Sequence, residues 1–212
     1  MTSPSRPAGT RVFAVLLALS AGCLIPQSVD PENTRPHTIP RVDLKRLPDY
    51  LLKPQMPLYP RGPNESPKCH CVLSFDNPPL KIIADDPTVN IEGRLFVDYD
   101  LAVPTSQRRI DTRLLLGSFQ SSETVRDLIP VLTIDADQFG LTPNANVVHV
   151  FEFVLAEQQG FAADTVSPPQ RATNDGWDSS ILKFSVVVLP PDASRPTCLD
   201  QLVPPQTQIC SP

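Results

Sequence analysis

Long apolar runs are absent from this chain of 212 residues. The longest, Val12–Leu19, has eight residues, whereas a helix that spans a bilayer needs about 20. Glycine is scarce, with 8 residues, aromatic residues make up 6% of the chain, and the net charge is -5. These shortages argue against a transmembrane helix, against a glycine-repeat fibre and against a protein that binds nucleic acid through a basic surface.

Proline, by contrast, is abundant, with 26 residues, more than twice the usual share of about 5%. Many of these prolines lie between residues 24 and 68, where they disfavour both helices and central strands. Residues 23–68 are therefore predicted to form an extended, semi-rigid tether. The apolar clusters Val42–Leu44 and Tyr50–Leu52 leave open the alternative that part of this tether docks on the domain.

The first residues have the pattern of an export signal. Arg6 and Arg11 precede the apolar run, and small residues follow it, as in secretory signal peptides. The sequence Leu19–Cys23 resembles the lipobox of bacterial lipoproteins. That resemblance implies a signal peptide over residues 1–22, cleavage after Gly22 and attachment of diacylglycerol and palmitate-type chains to Cys23. An ordinary signal peptide with a cysteine nearby is the alternative.

Membrane attachment is expected through these acyl chains on Cys23. Without residues 1–22 the chain has 16 basic and 23 acidic residues, a net charge of -7, so no polybasic membrane contact is predicted. Two or more acyl chains give stable anchoring that one chain does not. The resemblance also implies that Leu24, after the cysteine, directs the protein to the outer membrane if the host is a diderm bacterium.

Beyond Cys71 the sequence is typical of β-strands. Apolar and polar residues alternate over Val89–Val103, which predicts a long, half-buried strand. No convincing amphipathic helix is found, so residues 69–190 are predicted to form an all-β, antiparallel, immunoglobulin-like β-sandwich. The other predicted strands are Val72–Phe75, Leu80–Ile83, Ile110–Leu116, Val131–Asp135, Val147–Leu155 and Ile181–Leu189.

One passage of the domain has a family resemblance. Leu141–Val147, followed by Val148–Leu155, resembles the loop that leads into strand F of immunoglobulin and fibronectin type III domains. The resemblance covers about fifteen residues and implies a sandwich of that general type. It implies nothing about a ligand, because the fold hosts many functions.

Apart from Cys23 the chain has four cysteines, Cys69, Cys71, Cys198 and Cys210. An even number in an exported chain predicts two disulfides. Because a bond between Cys69 and Cys71 would close a strained ring, we expect each of them to pair with a cysteine of the tail, residues 191–212. The alternative is a local Cys198–Cys210 bond.

Metal sites are weakly indicated. Cys69–Cys71 contains a histidine between two thiols, which are ligands for copper or zinc, but disulfides explain the cysteines more simply. Acidic pairs at strand ends would suit calcium, although no calcium-loop motif is present; the pairs are Asp85 and Asp86, Asp98 and Asp100, and Asp135 and Asp137. The favoured interpretation is that these are turn caps, and no metal or cofactor is predicted.

The leading hypothesis is a non-catalytic envelope lipoprotein whose sandwich contacts a protein or a glycan. No hydrolase, nucleotide-binding, zinc-protease or CxxC motif is present. The alternatives are a carbohydrate-binding accessory module, which requires exposed aromatic side chains, a calcium- or copper-binding envelope protein, and an enzyme. The positions of Tyr99, Phe119, Phe161 and Trp177 distinguish among these, and Trp177 is expected to cap the sandwich.

Overall fold

A computed structural model describes residues 38–64, 66–100, 102, 109–110, 114–115, 124–129, 131–162, 171, 173–194, 197–198 and 206–210. All of them belong to one of the two units of the chain, His37–Pro212. The signal peptide and Cys23 lie outside the described residues. No α-helix occurs in the described ranges, and no helix there is long and apolar enough to cross a membrane.

The described part of the chain is all-β, with three short 3-10 helices, and most of its strand pairs are antiparallel. The 3-10 helices are Leu44–Arg46, Asp49–Leu52 and Gln158–Gly160. The strands are β1 (Arg41–Val42), β2 (Met56–Leu58), β3 (Cys69–Ser74), β4 (Lys81–Ile83), β5 (Ile91–Val97), β6 (Arg109–Ile110), β7 (Leu114–Leu115), β8 (Val125–Asp127), β9 (Thr133–Ile134), β10 (His149–Glu157), β11 (Ser180–Val188) and β12 (Gln206–Cys210).

Three sheets enclose the main core. The largest has the order β2-β11-β10-β5-β6, and β7 also pairs with β5. The two smaller sheets have the orders β1-β4-β8 and β12-β3-β9. Strand β2 runs parallel to β11, the one parallel pair among the described strands. Side chains from all three sheets meet in one apolar cluster, which includes Val42, Leu73, Ile82, Phe151 and Phe184.

The predicted strands of the domain correspond to β3–β7 and β9–β11. The predicted strand Val89–Val103 is shorter, because β5 ends at Val97 and the next residue, Asp98, has a φ of 48°. This left-handed conformation is uncommon for a residue other than glycine, although aspartate tolerates it better than most. The prediction of half-burial is also wrong, since all seven residues of β5 are buried.

Part of the predicted tether lies within the fold. Strand β1 pairs with β4, and β2 pairs with the end of β11. Val42, Tyr50, Met56 and Leu58 are buried in the main core. Both strands lie at sheet edges, and in β2, which contains Pro57, a missing N–H donor is tolerated there. The sequence left docking of this segment open; in the structure it docks, and the folded unit begins before the predicted boundary at residue 69.

The four domain cysteines form two disulfides, Cys69–Cys210 and Cys71–Cys198. The sequence favoured this arrangement, in which both bonds join the start of β3 to the tail. Strand β12 pairs with β3 in antiparallel register, so that Cys210 lies directly opposite Cys69. The tail is therefore held against the domain both covalently and by a strand ladder.

Candidate functional site

A groove of about 640 Å³ opens beside the first residues of β11, within the size range of about 300–1,000 Å³ that is usual for ligand pockets. Its lining consists of Arg41–Lys45, Ile83 of β4 and Ser180–Leu182 of β11. Most of these side chains are apolar. The groove therefore offers an apolar surface with a few polar groups at its rim, as binding sites commonly do.

Several hydrogen bonds position the wall of the groove formed by Arg41–Lys45. The N–H of Asp43 donates to the carbonyl of Lys81 at 2.8 Å, which extends the pairing of β1 with β4. The Asp43 carboxylate accepts from the N–H of Lys45 at 3.0 Å and so caps the first 3-10 helix. On the other side, the Ser180 hydroxyl donates to the Pro40 carbonyl at 2.5 Å.

Beside this groove, one edge of β11 is only partly paired, although β1 approaches its first residues and the Ser180 hydroxyl bonds to Pro40; the unpaired stretch is called the open edge. Strand β10 pairs with one side of β11 from Ser180 to Val186, whereas β2 pairs with the opposite side only at Val186–Val188. In the ranges that the structure describes, no strand pairs with this second side before Val186. Such an edge carries backbone groups that an added extended segment can pair with.

The rim of the groove carries charges of both signs, with basic residues in slight excess. Arg41 lies 3.5 Å from Asp85, and both side chains are about half exposed, so this ion pair contributes little. The Asp43 carboxylate is buried and lies 3.5 Å from Nε of Arg46. Lys45 is exposed. The negative charge nearest the groove is thus turned inward, while cationic side chains face the solvent.

A second polar cluster lies on the outer face of the six-stranded sheet. Glu152 is 6% exposed, and its two oxygens bind different cations. Oε1 lies 2.7 Å from Nζ of Lys183, and Oε2 accepts a hydrogen bond from Arg171. Burial alone would raise the pKa of Glu152, but the hydrogen bonds and charges of these two cations outweigh it and lower the pKa below its usual range.

Beside Glu152, the outer face of β5 carries a buried ion pair. Nε of Arg94 donates to Glu92 at 2.7 Å, and both side chains are almost fully buried. The Arg94 guanidinium lies 3.9 Å from the ring centroid of Phe161, which is close enough for a cation–π interaction. Phe161 belongs to a small apolar cluster that covers this face. The ion pair of Glu92 and Arg94 is therefore part of the packing and not an open site.

The aromatic residues singled out from the sequence contribute to packing. Phe161 is 4% exposed, and Tyr99 packs edge-on against Phe96 beneath Arg171. Trp177 lies over Gly160, where an added Cβ would come within 2.8 Å of the indole ring. Only a glycine permits this approach, and Trp177 itself is partly exposed, so its expected role as a buried cap of the sandwich stays a prediction. Phe119 lies outside the described residues.

The residues considered as possible metal ligands, and His149, have other partners. Cys69 and Cys71 are in disulfides, and Nε2 of His70 lies 2.9 Å from Oδ2 of Asp135. Nδ1 of His149 lies 2.7 Å from Asp98. Within the described ranges, no three of the residues His, Cys, Asp and Glu are grouped so that they would hold a metal ion.

Three of the six acidic residues act as local caps. Asp135 accepts from the N–H of Asp137, Asp100 from that of Ala102, and Asp86 from the N–H and the hydroxyl of Thr88. The other three bond to distant residues: Asp98 accepts from the N–H of Val150, Asp137 pairs with Arg61, and Asp85 pairs with Arg41 at the rim of the groove. The turn caps that the sequence favoured are therefore found at one residue of each pair.

The sequence missed the groove itself, because its first wall was assigned to the tether. The sequence signal for this wall was the pair of apolar clusters, Val42–Leu44 and Tyr50–Leu52, within the proline-rich segment. No protein-family model, no curated protein and no solved structure matches this chain. The functional argument therefore depends on the residues and geometry described above.

We predict that Glu152→Gln lowers the free energy of unfolding at pH 7 by about 1–3 kcal/mol, because two charge-assisted hydrogen bonds are weakened. Since folding lowers the pKa of Glu152, its stabilising contribution is full above the unfolded pKa and is lost as the pH falls. The difference between wild type and variant should therefore shrink below about pH 4.3.

Urea unfolding at several pH values measures this difference. The exposed carboxylate of Asp49 provides the control, and Asp49→Asn should have little effect at any pH. A difference between wild type and Glu152→Gln that stays constant from pH 7 to pH 3 would contradict the assigned role of Glu152.

Proposed function

We propose that this protein is a lipid-anchored lipoprotein of the bacterial cell envelope, with a non-catalytic β-domain that binds a partner. The supporting observation is that the cysteine in the lipobox-like segment, Cys23, is set apart from the four domain cysteines, which pair in two disulfides. Disulfides persist in oxidising compartments, as expected for an exported domain. The outer membrane is the proposed location in a diderm host.

The groove supports binding rather than catalysis. Its lining contains no histidine and no cysteine, and its one serine, Ser180, has its hydroxyl bonded to the Pro40 carbonyl. A nucleophilic mechanism needs a nucleophile and a base within hydrogen-bond reach. The lining groups do not supply that pair, whereas the apolar lining and the open edge of β11 suit contact with a second molecule.

A protein is the better-supported partner. No aromatic side chain lines the groove, and Tyr99, Phe161 and Trp177 are engaged in packing. This distribution weakens the alternative of a carbohydrate-binding module, which requires exposed aromatic rings. An extended protein segment, in contrast, can add backbone hydrogen bonds along the open edge of β11 and place apolar side chains in the groove.

We also propose that the domain is related in architecture to immunoglobulin-like sandwiches. The order β11-β10-β5-β6 corresponds to strands G, F, C and C′ of a variable-type domain. The pairing of β3 with β9 corresponds to that of strands B and E. Strand β10 then occupies the position of strand F, the strand to which the passage Leu141–Leu155 bears its resemblance.

Replacing Cys23 tests the anchor. Cys23→Ala should release the protein from the membrane fraction or leave the precursor unprocessed, because no thiol remains for acylation. Fractionation of cells and the mass of the N-terminal peptide measure this. Ser20→Leu is the control. It places leucine three residues before Cys23, where most lipoboxes have it, and should leave anchoring unchanged. A Cys23→Ala protein that is processed and membrane-bound like the wild type would exclude lipidation at this residue.

A substitution in the groove tests partner binding. Ile181→Asp places a charge in the groove at a side chain that is 41% exposed, so the fold should tolerate it. Crosslinking in intact cells, followed by mass spectrometry, should show partner proteins captured by the wild type and lost with Ile181→Asp. Ile209→Asp, at a side chain that is 43% exposed on β12, is the matched control. Equal capture by all three proteins would reject the groove as the binding site.

A further inference from the structure

We propose that the surface formed by residues 39–53 docks directly on an anionic phospholipid bilayer. The exposed residues of this segment that carry the argument, here called the N-terminal surface, are Arg41, Leu44, Lys45, Arg46, Leu52 and Lys53. The inference relies on the proposed function only for the acyl anchor that holds the domain near the bilayer. It adds a second contact, made by the folded domain.

The apolar part of this surface is unusually exposed. Leu44 is 69% exposed and Leu52 is 67% exposed, and no other large apolar side chain in the described ranges exceeds 60%. Both lie in short 3-10 helices whose neighbours are firmly held, since Val42 and Tyr50 are buried in the core. Leucines that project from a fixed segment can enter the interface of a bilayer, where their transfer from water is favourable.

Burial of Tyr50 shows how the segment is held. Its ring packs against Phe75 at a centroid distance of 5.8 Å, and its hydroxyl lies 3.4 Å from the Pro78 carbonyl. Burial, reinforced by the negative charge of Asp76, raises the pKa of Tyr50 to about 12. The hydroxyl is therefore neutral at physiological pH, and the ring anchors the second 3-10 helix to the core.

Charge on this segment is opposite to that of the whole chain. Residues 39–53 contain four basic and two acidic residues, whereas the chain has a net charge of -5. One of the two acids, Asp43, is buried and bonded to its own 3-10 helix. The net charge predicted no basic membrane contact, but residues 39–53 carry four exposed basic side chains and two exposed leucines, and two of the basic residues, Arg41 and Arg46, also pair with Asp85 and Asp43. Basic residues at a bilayer surface are attracted to anionic lipids.

The position of the anchor makes this contact easy to reach. Fifteen residues separate Cys23 from Ile39, and such a length spans at most about 55 Å. A domain tethered at this distance has a high effective concentration at the bilayer, so a weak contact suffices. Docking through Leu44 and Lys45 also brings the groove, which they help to line, close to the membrane.

Vesicle binding of the oxidised chain from residue 23 onward, with Cys23→Ser so that no lipid is attached, tests this inference. The probes are vesicles of phosphatidylethanolamine with phosphatidylglycerol, and vesicles of phosphatidylcholine alone. We expect binding to the anionic vesicles only, weakening as salt is raised. Lys45→Ala and Lys53→Ala should each reduce the partition coefficient about fivefold, and Leu44→Ala with Leu52→Ala several-fold.

Matched controls lie on other surfaces of the domain. Lys68→Ala removes an exposed lysine, and Ile129→Ala removes a side chain that is 60% exposed; neither should change partitioning. Absence of binding to anionic vesicles, or equal losses in the controls, would overturn the inference. The inference would also be overturned if Leu44 and Leu52 bound a protein partner tightly while the chain showed no affinity for lipid. Because the assay uses unlipidated protein, failure of lipidation at Cys23 would not alter its outcome.

Discussion

Two disulfides hold together the parts of this chain that are most distant in sequence. They join residues separated by 141 and 127 positions, and the chain-entropy model assigns an upper value of about 4–5 kcal/mol to the first of these nested bonds and less to the second, which then closes a much shorter loop. Among the described residues of the tail, which are 191–194, 197–198 and 206–210, Cys198 is the one that is buried, so we expect β12 to depend on these bonds. The sheet β12-β3-β9 depends in turn on β12.

The same region also fixes the N-terminal segment. The amide of Gln206 in β12 donates to the Tyr59 carbonyl at 2.8 Å and to the Cys198 carbonyl at 3.1 Å, and the N–H of Cys71 donates to the Pro60 carbonyl at 2.7 Å. Residues that follow β2 are thus bonded both to β3 and to the tail. The position of β2 places the segment before it beside β11, where it forms one wall of the groove.

Much of the fold was predictable from the sequence, because the strands of the domain are marked by alternation and by prolines between them. The tether was predicted less well, since proline was taken to exclude strands, whereas β1 and β2 are short edge strands. The prediction that β5 is half-buried is wrong for another reason. The alternation of the sequence predicts that Glu92 and Arg94 face the solvent. In the structure they pair with each other, and Arg94 lies against Phe161, a residue almost seventy positions later.

The candidate site was less predictable than the fold, because it is assembled from three distant segments with no chemical motif. Val42 and Leu44 lie in the proline-rich segment that was predicted to be a tether. Ile181 belongs to an ordinary strand pattern. Two pairings bring them to one groove. Strand β1 pairs with β4, and β2 pairs with β11 only at Val186–Val188, which leaves the first residues of β11 beside the groove. For the cysteines, in contrast, the even number predicted two disulfides, and the strain of a Cys69–Cys71 ring favoured bonds to the tail, although a local Cys198–Cys210 bond was left open.

The covalent connection between the tail and β3 is the feature on which the fold depends most, and peptide mapping without reduction tests it most directly. Protein purified from the cell envelope should yield a fragment in which the Cys69–Cys71 peptide is linked to peptides containing Cys198 and Cys210. A self-contained Cys198–Cys210 fragment, or free thiols at these four positions, would contradict the account.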